Sequence, residues 1–222
     1  MNIININTND FEINDENCKI IINNDEVNLR INGNSTIYDF NECENLKLKI
    51  DVLENSSINY YMFSNNNFKN KIIEINNYEN SITNFNYSFI NNDNCKLIIN
   101  NNIIKNNIKS NIRVRGVALE NATAIIDSNG KVTEKTLNNE FNEDLRGLNL
   151  ENGFIKINPN MFIDSNDVIA NHNSTIGNIN KDYLFYLNSK GIENDDAKKL
   201  IISGFLKSIL NSDMNEIIDK NN

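Results

Sequence analysis

Histidine occurs once in this chain of 222 residues, at His172. An imidazole titrates near neutrality and binds iron or zinc through either ring nitrogen, so this position carries the main chemical interest. The competing reading is a histidine that caps a turn or is satisfied inside the core. A Ser-His-Asp triad drawn from Ser174, His172 and Asp167 lacks the nucleophile-elbow sequence that would expose the serine. The three cysteines, Cys18, Cys43 and Cys95, are widely spaced and include no Cys-x-x-Cys pair. That argues against a zinc or ferredoxin-type site held by one chain and leaves buried structural thiols as their reading. No Gly-rich loop ending in Gly-Lys-Ser/Thr is present, so the chain is not expected to hydrolyse ATP.

The elements that position His172 follow from composition and pattern. A formal net charge of -9 and a pI of about 4.7 speak against a nucleic-acid surface. The start Met1-Asn-Ile-Ile does not read as a signal peptide, and no segment reaches the roughly 18 apolar residues of a membrane helix. The odd, scattered cysteines fit a reducing cytoplasm. Asparagine makes up close to a quarter of the chain. Compositional bias of an AT-rich genome accounts for this, and a structural use in left-handed turns and stacked ladders is compatible with it.

Residues 1–178 read as many short strands. Apolar β-formers cluster at 19–22, 27–31, 46–50, 58–63, 71–75, 82–85, 96–99, 112–115 and 124–126. Asn-Asp, Asn-Gly and Asn-Asn turn pairs lie between them. The pattern fits a sandwich, a barrel or a β-solenoid, and no sharp internal repeat chooses among them. The absence of helical pattern before residue 180 argues against alternating strands and helices.

Residues 179–222 change character. Asn180 suits the cap of a short helix carrying Leu184, Phe185 and Leu187, with Gly191 just past its end. Asn194 or Asp195 suits the cap of a second helix. Its apolar stripe runs through Ala197, Leu200, Ile201, Gly204, Phe205 and Ile209, widened by Ile202, Leu206 and Leu210. A helix so broadly apolar packs on two surfaces, its own body and a helix neighbour or partner. The polar tail Asn215–Asn222 is expected to fray.

Several segments together resemble the SufB/SufD family of iron–sulfur cluster assembly scaffolds. They are Ile112-Arg-Val-Arg-Gly-Val-Ala-Leu119, Leu145-Arg-Gly-Leu-Asn-Leu150, Asn158-Pro-Asn-Met-Phe-Ile163, and His172 to Gly177 followed by Leu184-Phe-Tyr-Leu187 and Ser189-Lys-Gly-Ile192. The resemblance runs from about Ile112 to Leu210. It implies a mainly β protein, a right-handed parallel β-helix followed by C-terminal helices. It implies no enzymatic activity of its own, a transient iron–sulfur cluster as cargo, and no nucleotide bound by this chain. Implied partners are a SufC-like ABC ATPase and a second SufB/SufD-type scaffold, or this chain itself as a dimer. No nucleic acid or membrane is implied. His172 matches the family histidine at the scaffold–scaffold interface, where it is a candidate metal ligand. Phe185, Tyr186, Leu187, Gly191, Leu200 and Phe205 are the candidate ATPase-binding residues.

The departures from the family pattern are informative. Asn173 and Ser174 replace the family's Gly or Glu and Ala. Where SufB-type members carry a functional cysteine, this chain has Asp144 or a neighbour, so it looks more SufD-like and shortened. Two other readings therefore compete with a cluster-bearing scaffold: a purely structural partner in the same complex, and an unrelated β-solenoid protein such as a polysaccharide lyase.

Overall fold

The computed structural model describes residues 2–65 and 68–215. In chain order its strands are Asn2–Ile6 (β1), Asp10–Asn14 (β2), Asn17–Ile22 (β3), Glu26–Asn32 (β4), Asn34–Phe40 (β5), Asn45–Val52 (β6), Ser57–Asn65 (β7) and Asn70–Asn77 (β8). They continue with Ile82–Asn91 (β9), Cys95–Ile103 (β10), Lys109–Ala118 (β11), Thr123–Val132 (β12), Asn139–Asn149 (β13), Phe154–Ile163 (β14) and Val168–Gly177 (β15). Odd-numbered strands form an eight-stranded parallel sheet and even-numbered strands a seven-stranded one. The chain therefore crosses between sheets at every turn and stacks coil upon coil. It is a parallel β-helix, the solenoid among the three architectures the strand pattern leaves open.

The coils grow along the chain. Stacked positions lie 16 residues apart at Asn7 and Asn23, 25 apart at Asn59 and Asn84, and 31 apart at Asn111 and Asn142. Strands lengthen in step, from 5 residues in β1 to 11 in β13. This drift is why no fixed sequence period exists although every coil repeats the last.

The core follows the widening. Alternating inward residues Ile6, Ile13, Ile20 and Leu29 fill the narrow end. Tyr60, Phe68, Phe85, Tyr87 and Phe89 fill the middle, with Phe68 and Phe89 meeting edge to face at 5.2 Å between ring centroids. Towards the wide end Phe141 lies directly over Gly130, where a Cβ would collide with its ring.

Asparagine stitches the coils together. Parallel, in-register pairing places Asn59, Asn84, Asn111, Asn142 and Asn171 above one another. Each amide donates to the carbonyl of the coil before, at 3.0, 3.0, 3.1 and 3.0 Å in turn. A second ladder runs up a corner through Asn55, Asn80, Asn107 and Asn138, at 2.8, 3.0 and 2.9 Å. All four of these residues hold φ between 56° and 58°, the left-handed region that asparagine tolerates better than most residues. The composition thus has a structural use.

After β15 the described residues include the helices Lys181–Ser189 (α1) and Asn194–Lys207 (α2). The Asn180 side chain accepts from the Asp182 N–H at 2.8 Å, and Gly191, at φ 86°, turns the chain out of α1. The second cap differs from expectation. Glu193 is the N-cap residue and no side chain bonds there, so Asn194 and Asp195 sit inside the first turn. Asp195 and Asp196 favour that turn through the helix dipole.

The C-terminal half of α2 lies against the outer face of the eight-stranded sheet. Leu206, Ile209, Leu210 and Met214 are buried there with Tyr38, Phe63 and Val117. Ser88 Oγ donates to the Leu206 carbonyl at 2.7 Å, satisfying a helix-end acceptor from the sheet. Asn211 Nδ2 donates to Tyr38 Oη at 2.7 Å. Of the tail expected to fray, all but Asn215 lies outside the described residues.

The corner ladder sets a test. Asn107→Ala loses the ladder bonds and places a Cβ-bearing residue of low αL tolerance at φ 58°. Asn107→Gly loses the same bonds but accepts the φ. Urea denaturation is expected to find the alanine variant about 1 kcal/mol less stable than the glycine variant.

Candidate functional site

A solenoid that stacks coils must end, and here the wide end is left uncovered by the described residues. β15 is the edge of the eight-stranded sheet and β14 the edge of the seven-stranded one. Most of β15 is exposed, including Ile169 and Ile176. His172 lies at the middle of β15 and is itself exposed. Its register partner on β13 is Glu143.

Glu143 is only 3% exposed, and it points inward with Phe141 and Leu145 of the same strand. Ser128 Oγ donates to its Oε1 at 2.5 Å. Its Oε2 is buried without a partner. Burial raises the Glu143 pKa, opposed by the Ser128 hydroxyl and by the charge of His172. His172 and Glu143 thus stack in one column, with Ser128 of the other sheet bonded to Glu143, as a polar group at the mouth of the tube. Sequence reasoning found His172 and missed Glu143, whose partner lies 29 residues away on the next coil.

Asp144, next to Glu143 on β13, points outward and serves the fold. Arg115 Nη2 donates to its Oδ2 at 2.6 Å and Arg146 Nε to its Oδ1 at 2.9 Å. Burial alone would raise its pKa; the two guanidinium groups hold it below the usual carboxylate range. Arg115 also donates to Ser208 Oγ at 3.3 Å and lies over the Phe205 ring at 6.0 Å. The Arg115–Asp144 pair therefore clamps α2 to the sheet.

The helical residues divide into two groups. Phe205 is half-buried against the chain's own body, beside Arg115. Leu187 is half-buried, and Gly191 is exposed at the turn after α1. Phe185, Tyr186 and Leu200 are exposed by 75%, 59% and 56%, and α1 has no buried residue at all. Between these helices and the sheet runs a groove of about 1180 Å³, lined in part by Phe63, Ile90, Leu119, Leu150, Ile202 and Leu206.

The cysteines are not brought to His172. Cys18 and Cys95 are buried, and burial pushes their thiols up to about 11 and about 12 respectively. Cys43 is half-buried and its thiol donates to the Ile22 carbonyl at 3.4 Å. Thiols raised this far are poor nucleophiles and poor metal ligands at neutral pH. No cluster of three or more His, Cys, Asp or Glu side chains able to hold a metal occurs among the described residues. No helix among them is long and apolar enough to cross a membrane.

A parallel β-helix with an uncovered, histidine-bearing end and two appended helices defines an architecture. Its family is given by comparison with known proteins. The profile of the "SUF system FeS cluster assembly, SufBD core domain" family matches residues 41–205, most of the chain. The chain belongs to this SufB/SufD family of iron–sulfur cluster assembly proteins. It is 33% identical over 97 residues to the iron–sulfur cluster assembly protein SufD of Bacillus subtilis, covering 43% of this chain and 22% of that protein. It is 28% identical over 95 residues to protein ABCI7, chloroplastic, of Arabidopsis thaliana, covering 42% and 20%. A SufBD family protein of Synechocystis is 36% identical over 53 residues, covering 24% and 11%. The matched segments thus span about a fifth of these relatives or less.

The buried carboxylate sets a pH test. Glu143 has a folded pKa above its ordinary value of 4.5. Its contribution to stability is complete below the unfolded value and is lost as pH rises through the folded one. Glu143→Gln removes that loss. Urea midpoints measured from about pH 4 to 8 are expected to favour the variant increasingly as pH rises.

Proposed function

We propose that this chain is a non-enzymatic scaffold subunit for iron–sulfur cluster assembly that works with a SufC-type ABC ATPase. The observation that carries this reading is the separation of two uncovered surfaces on a SufBD-family core. One is the open end of the β-helix, where the lone histidine lies on an edge strand paired on one side, with β13. An edge of free N–H and C=O groups is a template for another strand, so a second scaffold or a second copy of this chain would cover it. The cluster, as cargo, would be held at that junction by His172.

The other surface is α1 with the first half of α2. Its aromatic face would receive the ATPase, because α1 has no buried residue and, in the first half of α2, Ala197 is the one buried residue. Nucleotide would be bound by the ATPase and not by this chain. The chain would act in the cytoplasm.

Anaerobic co-purification with the SufC-like ATPase of the same organism tests the reading. Phe185→Asp is expected to reduce recovered ATPase at least tenfold with an unchanged urea midpoint, because Phe185 is 75% exposed and supports nothing in the fold. Full recovery of the ATPase by that variant would count against the docking face. Phe205 is the poorer probe, since its substitution also disturbs the packing against Arg115.

A second reading is favoured by one observation: no cysteine follows Cys95, and the three thiols lie away from the open end. On that reading the chain is a structural partner that holds no cluster. Cluster assembled anaerobically on the complex decides between them. His172→Ala is expected to lower its yield about tenfold on the first reading and to leave it unchanged on the second.

A further inference from the structure

Arginine is scarce in this chain, four residues against 17 lysines, and three of the four meet at one place. Arg113 and Arg115 of β11 and Arg146 of β13 point to the outer face of the eight-stranded sheet. Register sets Arg113 beside Asp144 and Arg115 beside Arg146. The flanking strands present Asn86 and Ser88 from β9 and Asn173 and Thr175 from β15 at these positions, none of them charged. Three guanidinium groups against the one carboxylate of Asp144 leave two positive charges uncompensated, on a chain whose net charge is -9.

The fold accounts for two of the three. Arg115 clamps α2, and Arg146 completes the charge balance of Asp144. Arg113 is exposed and makes no hydrogen bond or ion pair among the described residues. It adds like charge to a crowded spot. Burial lowers the Arg115 pKa, Asp144 raises it, and the charges of Arg146 and Arg113 lower it again. Like charges on facing strand positions destabilise a sheet, so packing alone gives no reason for the third arginine.

A cleft of about 400 Å³ opens beside these residues, between β11, β13 and the end of α2. Arg113 and Arg115 line it together with Asn111, Asn142, Ser208 and Ile209. Its walls are fixed: Asn142 donates to Asn111 at 3.1 Å, and Arg115 is held by Ser208 and by the Val114 and Asp144 carbonyls. We propose that this cleft binds the phosphate group of a small anion, with Arg113 as its principal contact and Arg115 behind it. A phosphate carries a charge of about -1.5 to -2 at neutral pH and so matches the two uncompensated charges, which a single carboxylate would only half neutralise. The guanidinium fork meets phosphate oxygens in pairs, which a lysine ammonium does not, and this gives arginine a use here in a lysine-rich chain. The volume suits a small ligand. Inorganic phosphate and a small phosphate ester share this chemistry. The inference stands apart from the scaffold reading and needs neither the ATPase nor a cluster.

The test is calorimetric titration of the full chain, in phosphate-free buffer at low ionic strength, with inorganic phosphate, glycerol phosphate and acetate. One site per chain is expected for phosphate, with a dissociation constant of about 1 mM or tighter. Arg113→Gln should weaken it at least tenfold and leave the urea midpoint unchanged, since Arg113 supports nothing in the fold. Arg113→Lys, which keeps the charge and loses the fork, should fall between the two. Arg115 is unsuited as a probe because its loss would release α2. Added sodium chloride should weaken binding, as it screens an exposed cationic site. Tighter binding of glycerol phosphate than of inorganic phosphate would support an ester as the ligand, and equal binding would support free phosphate. Equal phosphate binding by wild type and Arg113→Gln would overturn the assignment, as would no binding by wild type at about 10 mM phosphate. Acetate binding as tightly as phosphate would also overturn it, in favour of a carboxylate from a protein partner.

Discussion

Every feature of this molecule depends on parallel, in-register stacking of unequal coils. Register fixes what lies over what, so each inward position extends into a column through the tube and each outward one into a column on its surface. A column need not be apolar to be stable, only self-compatible. Asparagine meets that demand well, because its amide both donates and accepts and thus repeats indefinitely. The ladder from Asn59 to Asn171 and the corner ladder from Asn55 to Asn138 satisfy side chains that would otherwise compete with the backbone. A genome biased towards asparagine codons could therefore supply this fold without spoiling it.

The same stacking creates the functional surface. Each coil buries the face of the coil before it, so the last one always lacks a cover. Helical appendages could have closed that end. Here α2 instead turns back along the outer face of the eight-stranded sheet, held by Arg115 and by the contacts of Tyr38 with Asn211 and Asp213. Among the described residues no helix covers the mouth, and the lone histidine stands in the opening.

What could be read in the sequence follows from which signals are local. The strand clusters from 19–22 to 124–126 fall within β3, β4 and β6 to β12, because alternation is a property of adjacent residues. β5 went unread because Asp39 lies on its inward face and Tyr38 and Phe40 on its outward one, the reverse of the usual alternation. β1 and β2, five residues each, are too short to show a period. The helix stop at Gly191 was legible as a residue type. The true cap at Glu193 was not, since no side-chain bond marks it. His172 stood out by being alone, whereas Glu143 is one acid among many until register brings it under the imidazole.

The two inward-facing buried acids separate structure from chemistry. Burial raises the Asp39 pKa and lowers that of Lys71, and each offsets the other's cost inside the same few residues, with Tyr60 Oη donating to Asp39 Oδ2 at 2.9 Å. That group is closed: its lysine is fully enclosed and its donors are spent on neighbours. The Glu143 column is open. Its acid, like Asp39, has one oxygen satisfied and one without a partner, but its histidine reaches solvent and no counter-charge is buried with it. A fold that needed only a filled core could have continued the Tyr60–Phe85–Ile112 column with another apolar residue. The change to Glu143 and His172 falls where the tube meets its surroundings, and that placement is what a site for incoming ligands requires and what packing alone does not.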